Sequence, residues 1–297
     1  MPLPAPLPMP SPPATPNCKT CVVNVDFTQE QGSVTHRSSG FLVSINTNAP
    51  QQSLLAATKP KMFRGHSDYV FPAYNRLVDA GVTSFQVVLS LFFNGPDIFN
   101  HQNLGVQGNF SDWNKFILSK VNEVKSRGFK NIQYDIYNEP DISAIPIQDN
   151  NYNNNLMEGW RQAYQVIRKN HPGAVIVGPS VAYRRFLNGF LLKAKELGVL
   201  PDIVSYHNYG DPASAVNEVN EVRQFLKANG LGDQPISVNE IINEARWSEP
   251  GYVAGTLAAF DRAEIDSASH SCWDDSGSSN CHNSQMDGLL TPGGTQP

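Results

Sequence analysis

The chain reads as an α/β protein built on a (β/α)8 TIM barrel whose eighth helix is missing. Three observations give that expectation. Short apolar runs alternate with amphipathic stretches of helical length, the pattern of βα units around a parallel sheet. Eight such runs can be placed, which is the strand number of a closed barrel. No G-x-G-x-x-G follows the first run, which argues against an open dinucleotide-binding sheet.

The elements follow in order. Eight prolines stand in the first 16 residues, with no apolar h-region. Residues 1–20 therefore read as a polyproline-type linker or ragged N-terminus, not a signal peptide. Residues 21–297 form the expected barrel, C-terminally short. The alternating CVVNVDF at 21–27 suits an edge strand or hairpin arm. Strands are expected at 40–46, 61–65, 84–92, 132–139, 174–177, 203–207, 236–240 and 267–273. Helices are expected at 70–80, 111–127, 156–170, 186–197, 213–229 and 251–263. Ser111 is the expected N-cap of its helix, and Gly81, Gly128, Gly198 and Gly230 sit where helices stop. The first βα unit is weak, because 50–60 leaves room for about two helical turns. After residue 273 only a Gly/Pro-rich tail remains. Either one side of the barrel stays open, or the protein continues further.

Composition narrows the function. Of 297 residues, 40% are hydrophobic and 10% aromatic, enough for a sizeable core. Net charge is −5 with 16% charged residues, and Lys and Arg do not cluster, which excludes nucleic-acid and anionic-membrane binding. No run of about 20 apolar residues offers a membrane span. The abundant Asn, Gln, Ser and Tyr suit an uncharged, hydrogen-bonding ligand such as a sugar. Cys18 and Cys21 lie near one end, Cys272 and Cys281 near the other. The second pair lacks zinc-knuckle spacing, so two local disulfides in a secreted protein are expected over a four-thiolate zinc site. The sequon Asn109-Phe110-Ser111 points the same way. No cofactor or metal is expected: His66, Asp68 and His207 lack the close His/carboxylate spacing of a metal site.

In a barrel of this kind the chemistry sits at the C-terminal strand ends. The second strand ends in Arg64 and His66, the fourth in Asn138 and Glu139, the sixth in His207 and Tyr209, the seventh in Asn239 and Glu240, the eighth in Trp273. Pro140 lacks an N–H and cannot extend a ladder, which places Glu139 at the mouth of its strand. Two facing carboxylates are what glycoside hydrolysis needs: one protonates the leaving oxygen, the other attacks the anomeric carbon or activates water. Glu244 and Glu249 compete with Glu240 but fall past the apolar run. Asp135 alternates onto the face of Glu139 and suits bracing Arg64. Glu158, Glu218 and Glu221 sit on helices and read as solvated. Trp113 and Trp160 fall in helical stretches and read as packing.

The run Tyr134–Asp141 (YDIYNEPD) resembles the fourth-strand motif of clan A glycoside hydrolases, with Asp135, Ile136 and Tyr137 as conservative departures. The resemblance implies Glu139 as acid/base and Glu240, in ISVNEI, as nucleophile. His207-x-Tyr209 is similar to the clan's sixth-strand His-x-Tyr, whose Tyr contacts the nucleophile. Arg64-Gly65-His66 is similar to the Arg-x-His of glycoside hydrolase family 39, the β-xylosidases and α-iduronidases. The implied activity is retaining hydrolysis of β-linked, xylosidase-like oligo- or polysaccharide substrates, with Asn138 on the sugar 2-hydroxyl and Arg64, His66, His207, Tyr209 and Trp273 lining the site. An endo-acting clan A glycanase and a non-catalytic carbohydrate-binding barrel are the alternatives. Oligomeric state is not legible.

Overall fold

The structure is a computed structural model that describes residues 28, 33–89, 109–143, 154–271 and 289–290. Two units divide the chain, Met1–Val34 and Thr35–Pro297, and the elements below belong to the second. They run β1 (Gly40–Leu42), α1 (Gln52–Ala57), β2 (Met62–His66), α2 (Ser67–Ala80), β3 (Ser84–Val88), α3 (Phe110–Ser126), β4 (Ile132–Asp135), α4 (Pro140–Ser143), α5 (Asn154–Asn170), β5 (Val175–Val181), α6 (Arg184–Glu196), β6 (Ile203–Asn208), α7 (Pro212–Ala228), β7 (Ile236–Ile241), α8 (Pro250–Arg262) and β8 (Ser267–His270).

The eight strands form a closed parallel barrel in sequence order. Of the two alternatives the sequence left, closure removes the open side. Gly40 pairs with Ser269 and Phe41 with His270, so β1 and β8 complete the ring directly, with no helix after β8 required. A helix beyond β8 lies outside the described residues, as do all four cysteines and the run at 21–27.

Local signals account for most boundaries. Gly81 takes φ +108° after α2, a left-handed C-cap open to glycine at no steric cost. The N-cap of α3 is Asn109, not Ser111: its side chain accepts the Asp112 N–H, so the helix starts a residue before Ser111. That side chain also donates to Asp112 Oδ2.

Two kinds of packing build the barrel. Outside the strands the core is apolar and aromatic. Trp113 on α3 stacks on Tyr137, which packs on Trp160 of α5, and Trp160 meets Phe190 of α6 edge-on. Both tryptophans are fully buried, and their indole N–H groups donate to Gly159 O and Val199 O. They are packing residues, as expected. Trp160 also makes Gly178 obligatory, because a Cβ there would stand 2.4 Å from its ring.

Inside the barrel the filling is largely polar. Gln86 on β3 donates across the barrel to Ser237 on β7 and sideways to Gln133 on β4, and Ser267 on β8 donates to the same Ser237. A buried polar group without a partner costs several kcal/mol, roughly 2–7 by transfer scales, so a column of amides and hydroxyls holds only if its members satisfy one another.

Candidate active site

The β4 ladder ends at Asp135, opposite Val177 of β5, and the chain then turns. Glu139 is thus not the last residue of its strand, as the alternation suggested, but stands four positions beyond it. Its φ is +47°, an unfavourable region for a side-chain-bearing residue, costing roughly 1–3 kcal/mol. The turn is held from β5. Glu139 N–H donates to Ser180 O at 2.8 Å, and Asp141 accepts the N–H groups of Ala182 and Tyr183 at 2.9 and 2.7 Å. Burial pushes the Asp141 carboxyl up, against the Tyr183 and Ala182 donors that favour its charged form.

Glu240 sits in β7 facing Glu139 through His207 of β6. A single ring nitrogen, His207 Nδ1, lies 2.9 Å from Glu139 Oε1 and 2.8 Å from Glu240 Oε2. Tyr209 OH donates to the same Glu240 oxygen. Arg64 Nη1 stands 3.8 Å from Glu240 Oε1. The Glu240 side chain is only 14% exposed, and burial alone would raise its pKa. His207, Arg64 and Tyr209 outweigh burial and hold it well below the usual carboxylate range. Glu240 is therefore a carboxylate at neutral pH.

His207 shows the converse balance. Burial lowers its pKa, but Glu240 and Glu139 raise it to about 9 from 6.5. Because the folded value lies above the unfolded one, its stabilising contribution is complete below pH 6.5 and is lost as pH rises through about 9. His207→Gln is expected to melt below the parent at pH 6, with the gap narrowing between pH 6.5 and 9. Melting curves across that range check this, and a gap that stays constant would overturn it.

Arg64 is buried and forked. It donates from Nε to Asp135 Oδ2 at 2.8 Å and from Nη2 to Asn138 Oδ1 at 2.7 Å. Asp135 thus braces Arg64, as its place on the strand suggested. Tyr209 is held by its own latch: Asn243 donates to Tyr209 O, Tyr252 OH donates to Gly210 O, and Asn208 donates to Glu218 Oε2. Glu218, expected to be a solvated helix residue, instead fixes the end of β6. Glu158 pairs with Arg161, Glu221 with Arg184 and Glu249 with Arg246.

Arg64, Asn138, Glu139, His207, Tyr209 and Glu240 therefore share one contact network. His66 ends β2 at the same mouth. Trp273 lies outside the described residues, as do most of the segments at 92–110 and 141–155. Asn239, expected at the end of the seventh strand, completes the floor with two residues that the sequence did not single out, Gln86 and Ser180. Asn239 Nδ2 lies within 3.2 Å of Gln86 Oε1, Asp135 Oδ2 and Ser180 Oγ. Their signal was a polar residue at an inward position of an otherwise apolar strand.

Glu139, His207 and Glu240 present ligand atoms within 4.8 Å of one another, close enough to hold a cation among the described residues. His66 and Asp68 are not part of that group. With Nδ1 donating to both carboxylates, the imidazolium itself supplies positive charge there.

No protein-family model matches the chain, and no curated protein is similar to it. Solved structures are. A protein from Neocallimastix frontalis, N2152, shares 25% identity at a TM-score of 0.66, over 80% of this chain and 60% of its own. A monomeric β-xylosidase from Caulobacter crescentus shares 15% at 0.64, over 92% and 64%. A GH39 enzyme from Xanthomonas axonopodis pv. citri shares 15% at 0.58, over 81% and 59%. The chain spans about three-fifths of the length of these proteins. Its barrel has the fold of glycoside hydrolase family 39 structures.

Proposed function

We propose that the chain carries the catalytic barrel of a retaining glycoside hydrolase that cleaves β-linked, xylosidase-like oligo- or polysaccharides. One observation carries the reading: an oxygen of Glu139 and one of Glu240 lie within 4.8 Å of each other, bridged by His207 Nδ1. Retention asks for carboxyl groups about 5–5.5 Å apart, inversion for about 6.5–9.5 Å. The short spacing leaves no room for a water between carboxylate and sugar.

Glu240, ionised and held by Tyr209, His207 and Arg64, attacks the anomeric carbon. Glu139 protonates the departing oxygen. The glycosyl ester removes the charge of Glu240, and Glu139 then takes a proton from the incoming water. Asn138 Nδ2 donates to the sugar 2-hydroxyl. The likeness to a β-xylosidase supports the substrate class. Secretion remains part of the proposal, motivated by the cysteine pairs and the sequon.

A screen of aryl β-glycosides, with proton NMR of the first sugar formed, tests the reading. The β-anomer is expected before mutarotation sets in. The α-anomer first would mean inversion. Sugar binding without release over days would leave a carbohydrate-binding barrel.

A further inference from the structure

Glu139 and Ser180 are both side-chain-bearing residues with positive φ, +47° and +52°. They face each other across β4 and β5, joined by the 2.8 Å bond from Glu139 N–H to Ser180 O. Two strained residues locked together beside a reactive carboxyl suggest that the strain serves the site.

The Ser180 side chain explains how its backbone is held. Its Oγ donates to Asp135 Oδ1 at 2.7 Å, accepts from Asn239 Nδ2 at 2.9 Å, and meets Ser205 Oγ at 2.8 Å. Ser180 N–H donates to Ser205 Oγ at 3.0 Å, which leaves the Ser205 hydroxyl proton for Ser180. One donated and two accepted bonds saturate the hydroxyl. It joins β4, β6 and β7, while the carbonyl of the same residue carries the Glu139 turn. Asn239 precedes Glu240, and Asp135 reaches Glu240 through Arg64. Ser180 is fully buried.

Resting on the glycosidase reading, we propose that Ser180 is a positioning residue for the general acid: its hydroxyl fixes the carbonyl from which the Glu139 backbone hangs. Loss of the hydroxyl frees that carbonyl and moves the acid off the leaving oxygen. The effect is specific to leaving groups that need a proton. A dinitrophenyl group departs without one, whereas a phenyl group does not.

The test is kcat/KM on a phenyl and a dinitrophenyl β-glycoside for the parent, Ser180→Ala and Ser180→Gly, well below each melting temperature. Glycine keeps the left-handed backbone accessible and lacks the hydroxyl, so it remains informative if the alanine variant does not fold. Both variants are expected to lose about 10- to 100-fold on the phenyl substrate and about twofold or less on the dinitrophenyl one. Equal losses on both substrates would mark a merely structural role and overturn the proposal, as would undiminished phenyl hydrolysis. A parent protein inactive on both substrates would instead remove the glycosidase reading, and this inference with it.

Discussion

Glu240→Ala is expected to lower turnover of an activated aryl β-glycoside by on the order of 10⁴-fold or more, the scale on which an enzyme loses its nucleophile while the rest of the catalytic unit stays in place. The geometry says why nothing nearby substitutes. Glu139 has the acid/base role in the proposed mechanism, Asp135 is buried beneath Arg64, and Glu249 pairs with Arg246 in solvent. Removing the carboxylate leaves three donors, from Arg64, His207 and Tyr209, around a vacated space. A small anion such as azide should enter it and restore turnover, giving a glycosyl azide of inverted configuration, since only one displacement then occurs. Wild-type turnover in Glu240→Ala would end the assignment.

Arg64→Met is expected to have the largest effect on stability, a loss of about 3–5 kcal/mol, because it strands the charge of Asp135 in the barrel interior. For a domain of this size that is about 10 °C in melting temperature. Asp135 is fully buried, and burial already raises its pKa, against Arg64 and Ser180, which favour the charged form. Without Arg64 the carboxyl rises further, so the penalty should shrink as pH falls and protonation neutralises it. Adding Asp135→Asn to Arg64→Met should recover part of the loss. Thermal melts of the two variants between pH 4 and pH 8 decide it, and an undiminished melting temperature in Arg64→Met would refute the brace.

The barrel was legible because strand alternation and helix periodicity leave marks at short range, and the six expected helices fall close to where apolar spacing, Gly stops and Pro breaks put them. Glu139 was legible through Pro140, but its setting was not. The alternation from Ile132 runs on past Asp135, whereas the ladder stops there and the chain is held instead by the hydrogen bond from Glu139 N–H to Ser180 O on another strand. Closure of the ring was illegible for the same reason: it depends on pairing Gly40 with Ser269, residues at opposite ends of the chain. Ser180 and Gln86 carry no mark in the sequence beyond being polar residues in strands, and Asn239 is placed at a strand end with no partner until the barrel brings the three together. Glu218 was misjudged because helix periodicity says nothing about the loop a helix lies against.

The polar filling of the barrel has a consequence for how such a protein can change. The shell between strands and helices is aromatic and aliphatic, while the axis inside the strands is hydrogen-bonded and holds the candidate site together with the Arg64–Asp135 brace. These are separate sets of residues on opposite faces of the same strands. Mutations in the shell should tune melting temperature with little effect on rate. Those along the axis should be tolerated mainly in compensating pairs, since each amide or hydroxyl there is another's partner. New specificities would then arise most readily at the rim, where neither constraint applies.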